Sequence, residues 1–406
     1  MTSRERVLQA LSHQEPDRPP IDLSGHRSSG ISAIAYPKLR KALGLEPALP
    51  RVYDIIQQLA VVDEDVLRRF EVDTMEMGRG FSREAEDWAE WTLPDGSPCL
   101  VPRWSRPERD GDRWILRSPK GTVIAHMPDG AYFFEQCHYP YLDRKEDLED
   151  IPGAFSESMW TAIASPPGPV SRQERREGAR KLRASTDRAI LGLFGGNLLE
   201  CGQFLYRNDL FLAMLADEPQ RAHAFLDRLV ELHCGNLQNF LADVGDCIDI
   251  IVFGDDLGMQ SGPQMSPKMY REFFKPRHSL LWNQAKRLSP VKVMLHCCGG
   301  VRPILRDLIE AGLDAINPVQ ITCRGMDGAE LKKEFGKDLT FWGGGCDTRF
   351  ILSQASPCQV AEHVRNQIAV LGAGGGFVFQ QVHNILADVP PDNVIAMLDA
   401  VRNYPR

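Results

Sequence analysis

No stretch of this sequence is long or apolar enough to suggest a membrane span, and runs such as Ile248–Phe253 fall far short of bilayer length. Basic residues never gather into a block. Lys and Arg number 47 against 55 Asp and Glu, leaving a formal net charge of −8. That balance argues against binding nucleic acid or anionic membrane surfaces, both of which need concentrated positive charge. No internal repeat of solenoid period recurs, so a stacked-repeat architecture is not expected. The first residues, Met1–Arg6, lead into a short amphipathic helical pattern without an apolar signal-peptide core, and the cytoplasm is the expected location.

What is present is the composition of an ordinary globular enzyme, with 43% hydrophobic and 25% charged residues in 406. Ten cysteines in a chain of this length, with no export signal, are expected to be reduced thiols rather than a disulfide framework. Cys234 and Cys247 sit in apolar patterns and read as small buried hydrophobes. The adjacent pair Cys297 and Cys298 is different: neighbours on a strand point to opposite faces, so at most one can face a site.

Short apolar segments recur, each ending in polar or glycine-rich residues and most followed by a helical pattern. They are Pro20–Leu23, Val72–Met77, Ala189–Phe194, Asp249–Phe253, Lys292–His296, Asp314–Asn317, Leu339–Gly343 and Gly376–Gln380. Helical patterns run over Pro219–Asp243, Pro267–Leu288, Val301–Ala311 and Gln359–Leu371. Eight strand–helix units predict an α/β fold of the (βα)8 TIM-barrel type, with the whole chain as one domain. One region breaks the rhythm. From about Phe81 to Ala184 the chain is polar, carries Trp88, Trp91, Trp104 and Trp114 and turn signals at Asp95-Gly96 and Asp129-Gly130, and reads as an inserted hairpin followed by a charged helix, Arg172–Arg183. It suits a lid or a homodimer contact, and composition does not choose between them. Gly372–Gly376 follows a helix and precedes a strand, the reverse of a phosphate-binding loop, and reads as a close-packed turn.

Active sites of such barrels collect at the C-terminal ends of the strands. Reactive side chains cluster there: Asp22, His26 and Arg27 after the first strand, Glu200 after the third, Asp255, Asp256 and Gln260 after the fourth, Asn317 after the sixth, and His383 after the eighth. Any one of these could be a cap or turn residue; their joint placement favours a site. Asp256 and His383 are the candidate catalytic groups, and Asp22, His26, Arg27, Glu200, Asp255, Gln260 and Asn317 the candidate substrate contacts. Asp255 and Asp256 could equally cap the helix that follows, and strand alternation lets only one of them face the centre.

Residues two apart on a strand share a face, so His296 and Cys298 can present nitrogen and sulfur to one point. Alternate strands fill the same layer of a barrel, which predicts that Cys346, just past the seventh strand, reaches that point too. One imidazole and two thiolates suit zinc, and three protein ligands leave a fourth position for substrate or water.

Several of these segments, namely Asp17–Asp22, Gly254–Gly258, Ser266–Pro276, His296-x-Cys298-Gly299 and His383-Asn384-Ile385, resemble the uroporphyrinogen decarboxylase superfamily over nearly the whole chain outside the insertion. The pattern of His296, Cys298 and Cys346 is similar to the branch of methylcobalamin:coenzyme M methyltransferases. That resemblance implies zinc ligation by these three residues and methyl transfer between a small-molecule donor or thiol acceptor and a corrinoid. Because an Asp-x-His-x-x-Gly cobalamin-binding motif is missing, the corrinoid (methylcobalamin) is expected on a separate protein. The true decarboxylases carry an Arg-Gln-Ala-Gly-Arg loop after the first strand and use no metal. Here the same place reads Ser24-Gly-His-Arg-Ser28, with one arginine. A metal-independent decarboxylase or lyase of the parent type stands as the alternative.

Overall fold

The computed structural model describes residues 1–77, 85–160 and 171–405. Its centre is a curled, parallel sheet of seven strands lying side by side in chain order: β1 (Thr74–Met77), β2 (Ala189–Gly195), β3 (Ile250–Gly254), β4 (Lys292–His296), β5 (Ala315–Asn317), β6 (Thr340–Trp342) and β7 (Phe377–Val378). The first expected strand is not a strand. Pro19 and Pro20 remove two backbone donors, which leaves Ile21 with a single parallel bridge to Phe379. Even so, Pro20–Asp22 spans the two edges: Asp22 N–H donates to the Phe379 carbonyl and Phe379 N–H to that of Pro20, both at 2.8 Å, while Asp73 N–H donates to Ile21.

Alternation along each strand sorts side chains between two apolar clusters. Ala189, Leu191, Ile250, Val252, Met294, Ala315, Trp342 and Val378 fill the interior of the curl, where Val7, Ala10 and Leu11 join them. The last three lie on α1 (Ser3–Leu11), which begins with a Thr2/Glu5 capping box and plugs the curl from below. Val293, Leu295 and Cys297 belong instead to the larger cluster between sheet and helices. One helix of that outer layer follows most strands, among them α2 (Arg172–Ser185), α3 (Leu199–Tyr206), α4 (Pro219–Val244), α5 (Lys275–Leu288), α6 (Arg302–Ala311), α7 (Gly328–Phe335), α8 (Pro357–Leu371) and α9 (Pro391–Arg402).

Between β1 and β2 lie a hairpin, Trp88–Thr92 with Pro98–Pro102, and a separate four-stranded antiparallel meander from Glu108 to Gln136. The expected boundary at Phe81 falls outside the described residues. The sequence reading missed the meander because its strands are exposed on one face and carry only a weak apolar alternation. Trp91 and Trp114 join hairpin to meander through an edge contact with ring centroids 5.3 Å apart. Helix α2 is held down by Arg172, Arg175 and Arg176, all of which pair with the buried Asp243 of α4. The glycine run before β7 forms the expected turn, and a Cβ at Gly375, whose φ is +81°, would fall on the Gln14 backbone. No described helix is long and apolar enough to cross a membrane.

Candidate functional site

The ends of β3, β4 and β5 are in register, with Gly254 opposite His296 and His296 opposite Asn317. The loops leaving those strands therefore start at one level, and their first side chains meet. Cys298 Sγ lies 3.6 Å from His296 Nε2, as the two-residue spacing requires. Cys297 points the other way and its sulfur accepts the Leu257 N–H within the outer core. Among the described residues, one group of His, Cys, Asp or Glu side chains has ligand atoms mutually within 4.8 Å: His296, Cys298 and His383.

The expected third donor, Cys346, is not in that group. Its thiol is fully buried in the larger apolar cluster, 3.8 Å from the Asp347 carbonyl, and burial pushes it far above the ordinary thiol range. Three glycines separate it from Trp342, and Gly343 and Gly344 take φ of +99° and +79°. A strand's two-residue alternation does not carry through backbone of that kind, and the extrapolation from strand to cysteine fails there.

His296 is fixed by Asn317. The Asn317 Nδ2 donates to the Trp342 carbonyl at 3.0 Å, and a carbonyl only accepts, so Oδ1 must be the atom facing His296 Nδ1 at 2.9 Å. Nδ1 therefore carries the proton and Nε2 presents its lone pair towards Cys298. Burial lowers the His296 pKa, opposed in part by Asp256 and Asn317, and raises that of Cys298 well above the usual value, with Asp256 adding to the effect. A neutral imidazole and a neutral thiol face each other. His383 completes the group with its ring centroid 6.0 Å from that of His296. Burial, reinforced by His296 and His26, drives its pKa down to about 3.

The carboxylates divide as alternation demands. Asp255 is fully buried and accepts the Leu199 and Glu200 N–H groups at 3.1 and 3.0 Å, with His278 Nε2 3.2 Å away. It caps the start of α3, an earlier helix of the chain, rather than the segment after it. Asp256 faces the site: Oδ1 accepts the Cys298 N–H at 2.7 Å and lies 3.8 Å from His296 Nε2. Glu200 accepts the Asp256 N–H and the Asn197 amide on Oε2. Burial, then Asp256 and Asp255, raise its pKa well above the ordinary value.

The other expected substrate contacts are mostly already paired. Asp22 is fully buried; Oδ1 accepts from Gly25 N–H, the Ser29 hydroxyl and the Thr74 hydroxyl, and Oδ2 from Trp342 Nε1 at 2.7 Å. Burial alone would raise its pKa, yet His26 at 3.2 Å and the donors from Trp342 and Thr74 outweigh burial and lower it. His26 Nε2 also meets Gln380 Oε1 at 3.0 Å, and its Nδ1 meets the Ser28 hydroxyl at 3.2 Å. Asn317, fully buried, bonds Ser28, His296, Trp342 and Gln380. Asp22, His26 and Asn317 therefore brace the site instead of reaching into it. Arg27 approaches Asp54 at 3.5 Å and stays about one-third exposed (33%). Gln260 is exposed and meets Cys323 Sγ at 3.6 Å. Gln380 and Ser28 were not singled out from the sequence. A glutamine directly after the apolar run Phe377–Phe379 was the available signal for the first.

The sequence model of the family described as uroporphyrinogen decarboxylase (URO-D) matches residues 203–404. The uroporphyrinogen decarboxylase of Legionella pneumophila (strain Corby) is 27% identical over 192 residues, covering 47% of this chain and 50% of that enzyme. This match thus spans about half the length of that relative. The uroporphyrinogen decarboxylase of Psychromonas ingrahamii aligns over 98% of the chain and 96% of its own length at 23% identity. Among solved structures, a methyltransferase from Methanosarcina mazei superposes with a TM-score of 0.60, covering 100% of this chain and 99% of that one at 16% identity, a likeness of fold.

Proposed function

We propose that the chain is a member of the uroporphyrinogen decarboxylase superfamily and, within it, a metal-dependent methyltransferase that moves a methyl group between a small molecule and a corrinoid held by a separate protein. The observation that carries this reading is the cluster of His296, Cys298 and His383 at the strand ends, with ligand atoms mutually within 4.8 Å. A porphyrinogen with many carboxylates calls for several cations, whereas the loop after Pro20–Asp22 offers only Arg27, which already faces Asp54. The competing reading, a decarboxylase, draws its support from the names of the curated relatives.

Imidazole and thiolate are a donor set that zinc takes readily, and His296 holds its Nε2 lone pair towards Cys298 with no rearrangement needed. Zinc bound there would supply Lewis-acid polarisation of a substrate oxygen, or hold an accepting thiol as its thiolate. The chain's own residues do the rest. Asn317 keeps His296 in one tautomer, and Asp256 holds the Cys298 backbone in position through its N–H. Glu200, whose pKa is raised by burial and by Asp256, accepts two N–H bonds on Oε2 and leaves Oε1 as the oxygen that could exchange a proton. Arg27 remains exposed enough to meet a carboxylate on the substrate. Met259, Phe350 and Leu386, on loops that follow strands, are 49%, 50% and 39% exposed and give the rim an apolar margin for a docked corrinoid protein.

The test is the absorption spectrum of cobalamin mixed with the purified protein and a series of methoxylated or methylated small molecules, or of methylcobalamin mixed with thiols. A protein-dependent change between the cobalt(I) and methyl-cobalt spectra supports the reading. An unchanged spectrum with every donor and thiol, together with carbon dioxide release from a carboxylated substrate, replaces it with the decarboxylase.

A further inference from the structure

Helix α3 starts without a cap of its own. Leu198, the residue before it, has no side chain that can accept an amide proton, and the Leu199 and Glu200 N–H groups turn instead to Asp255, just past β3. The next residue closes a ring in the other direction, since the Asp256 N–H donates to Glu200 Oε2 at 3.1 Å. Glu200 is thus gripped twice by one dipeptide: its own N–H by Asp255 Oδ1, its carboxyl by the Asp256 backbone. Asp255 is the fixed point of that ring, and further side chains hold it. His278 Nε2 lies 3.2 Å from Asp255 Oδ2, an oxygen that already accepts the Leu199 N–H, so Nε2 carries the proton and donates. His278 Nδ1 then accepts the Tyr270 hydroxyl at 3.2 Å, and burial raises the Tyr270 pKa well above the ordinary phenol value, so that hydroxyl keeps its proton. All three side chains are buried, and the His278 ring stacks on Trp282 with centroids 4.8 Å apart and an interplanar angle of 4°. Tyr270 opens a π-helical turn, Tyr270–Phe274, that runs into α5; such turns are rare and recur at functional sites. A helix cap needs one acceptor, not a stacked imidazole and a phenol behind it.

We propose, resting on the reading that the strand ends form a catalytic mouth, that His278 is a positioning residue. Backed by Tyr270, it fixes Asp255, and Asp255 fixes the Glu200 backbone so that Oε2 stays on the Asp256 N–H and Oε1 is left for the substrate. His278 itself meets no reacting atom; it acts through Glu200. The assignment holds for either chemistry of such a mouth. When a methoxy group gives up its methyl, the oxygen left behind takes a proton; when a carboxylate leaves as carbon dioxide, the carbon left behind takes one. In both, Glu200 Oε1 is the oxygen free to exchange it.

The experiment is a double-mutant cycle on the full-length protein. It is read on methyl transfer to cobalamin, or on carbon dioxide release should the protein prove a decarboxylase, with hydrogen exchange of the Leu199 and Glu200 amides as a readout that needs no activity. His278→Leu should lower kcat by roughly 10–100-fold with KM unchanged, the scale of a small misplacement of a catalytic group. It should also speed exchange of the two amides by about tenfold as their cap loosens. His278→Gln keeps a donor for Asp255 and should restore most of both. In a Glu200→Gln background His278→Leu should cost nothing further, because the group it serves is gone. Should the leucine variant fail to fold, Tyr270→Phe removes a single hydroxyl and carries the same cycle with a smaller drop. Losses that multiply in the double variant overturn the proposal, since they mark a residue that only supports the fold. So do unchanged amide exchange, a loss in KM instead of kcat, or a glutamine variant no better than leucine. Carbon dioxide release without methyl transfer removes the methyltransferase reading and leaves the cycle to decide His278; a wild type with neither activity overturns both.

Discussion

The two sides of the mouth are built from the same residue types and differ in how many polar atoms are already paired. On the side formed by Asp22, His26, Asn317 and Gln380, nearly every donor and acceptor has a protein partner, down to both oxygens of Asp22 and both nitrogens of His26. On the side formed by His296, Cys298, His383 and Asp256, lone pairs are left over and converge. Saturated networks rigidify; unsaturated ones bind. A histidine at a strand end is therefore informative only once its partners are counted.

The largest expected effect comes from breaking the unsaturated side. Cys298→Ser, with corrinoid methylation followed by absorbance, should lower methyl transfer by about 1000-fold or more, corresponding to several kcal/mol of lost metal assistance. Cys297→Ser, one residue away in the outer core, should leave metal content unchanged.

Next is the saturated side, where stability is at stake. Asp22→Ala strands His26, Trp342 and Thr74 without their acceptor and should cost about 3–5 kcal/mol in urea unfolding. The pH dependence follows from the lowered Asp22 pKa. A carboxyl whose folded pKa lies below its unfolded value stabilises fully above the unfolded value, about 4, and that contribution is lost as pH falls towards the folded one. The wild type should thus lose stability more steeply than the variant below about pH 4. Equal acid profiles would contradict this account of Asp22.

Asn317 joins the two sides, and Asn317→Ala should weaken metal binding by roughly 10–100-fold while the ligands themselves are intact. The smallest effect is expected for Arg27→Ala. Its contact with Asp54 is long and partly exposed, so unfolding should shift by less than about 1 kcal/mol. A raised KM for carboxylated donors with kcat unchanged would give Arg27 its binding role.

The strands were legible because an apolar segment ending in glycine and polar residues is dictated by burial on both faces, and seven of the segments appear where their patterns lie. His296 and Cys298 were legible through strand periodicity, which holds wherever the backbone remains extended. Cys346 was not, because positive-φ glycines reset the direction of the chain. Nor were the roles of Asp255 and Asn317. Whether a buried polar group touches substrate or a neighbouring backbone depends on contacts more than 20 residues away, such as Asp255 with Leu199 or Asn317 with Trp342. The meander beyond the first hairpin escaped for a different reason: its strands cover the barrel with one face only, and its register is set by turns.

The most direct test of the account removes and restores the metal. Protein stripped by a chelator and assayed with a methyl donor and cobalamin should lose methyl transfer, and about one zinc per chain should restore it. Methyl transfer that survives complete stripping, or a stripped protein that releases carbon dioxide as fast as the untreated one while never changing the cobalt spectrum, would contradict it.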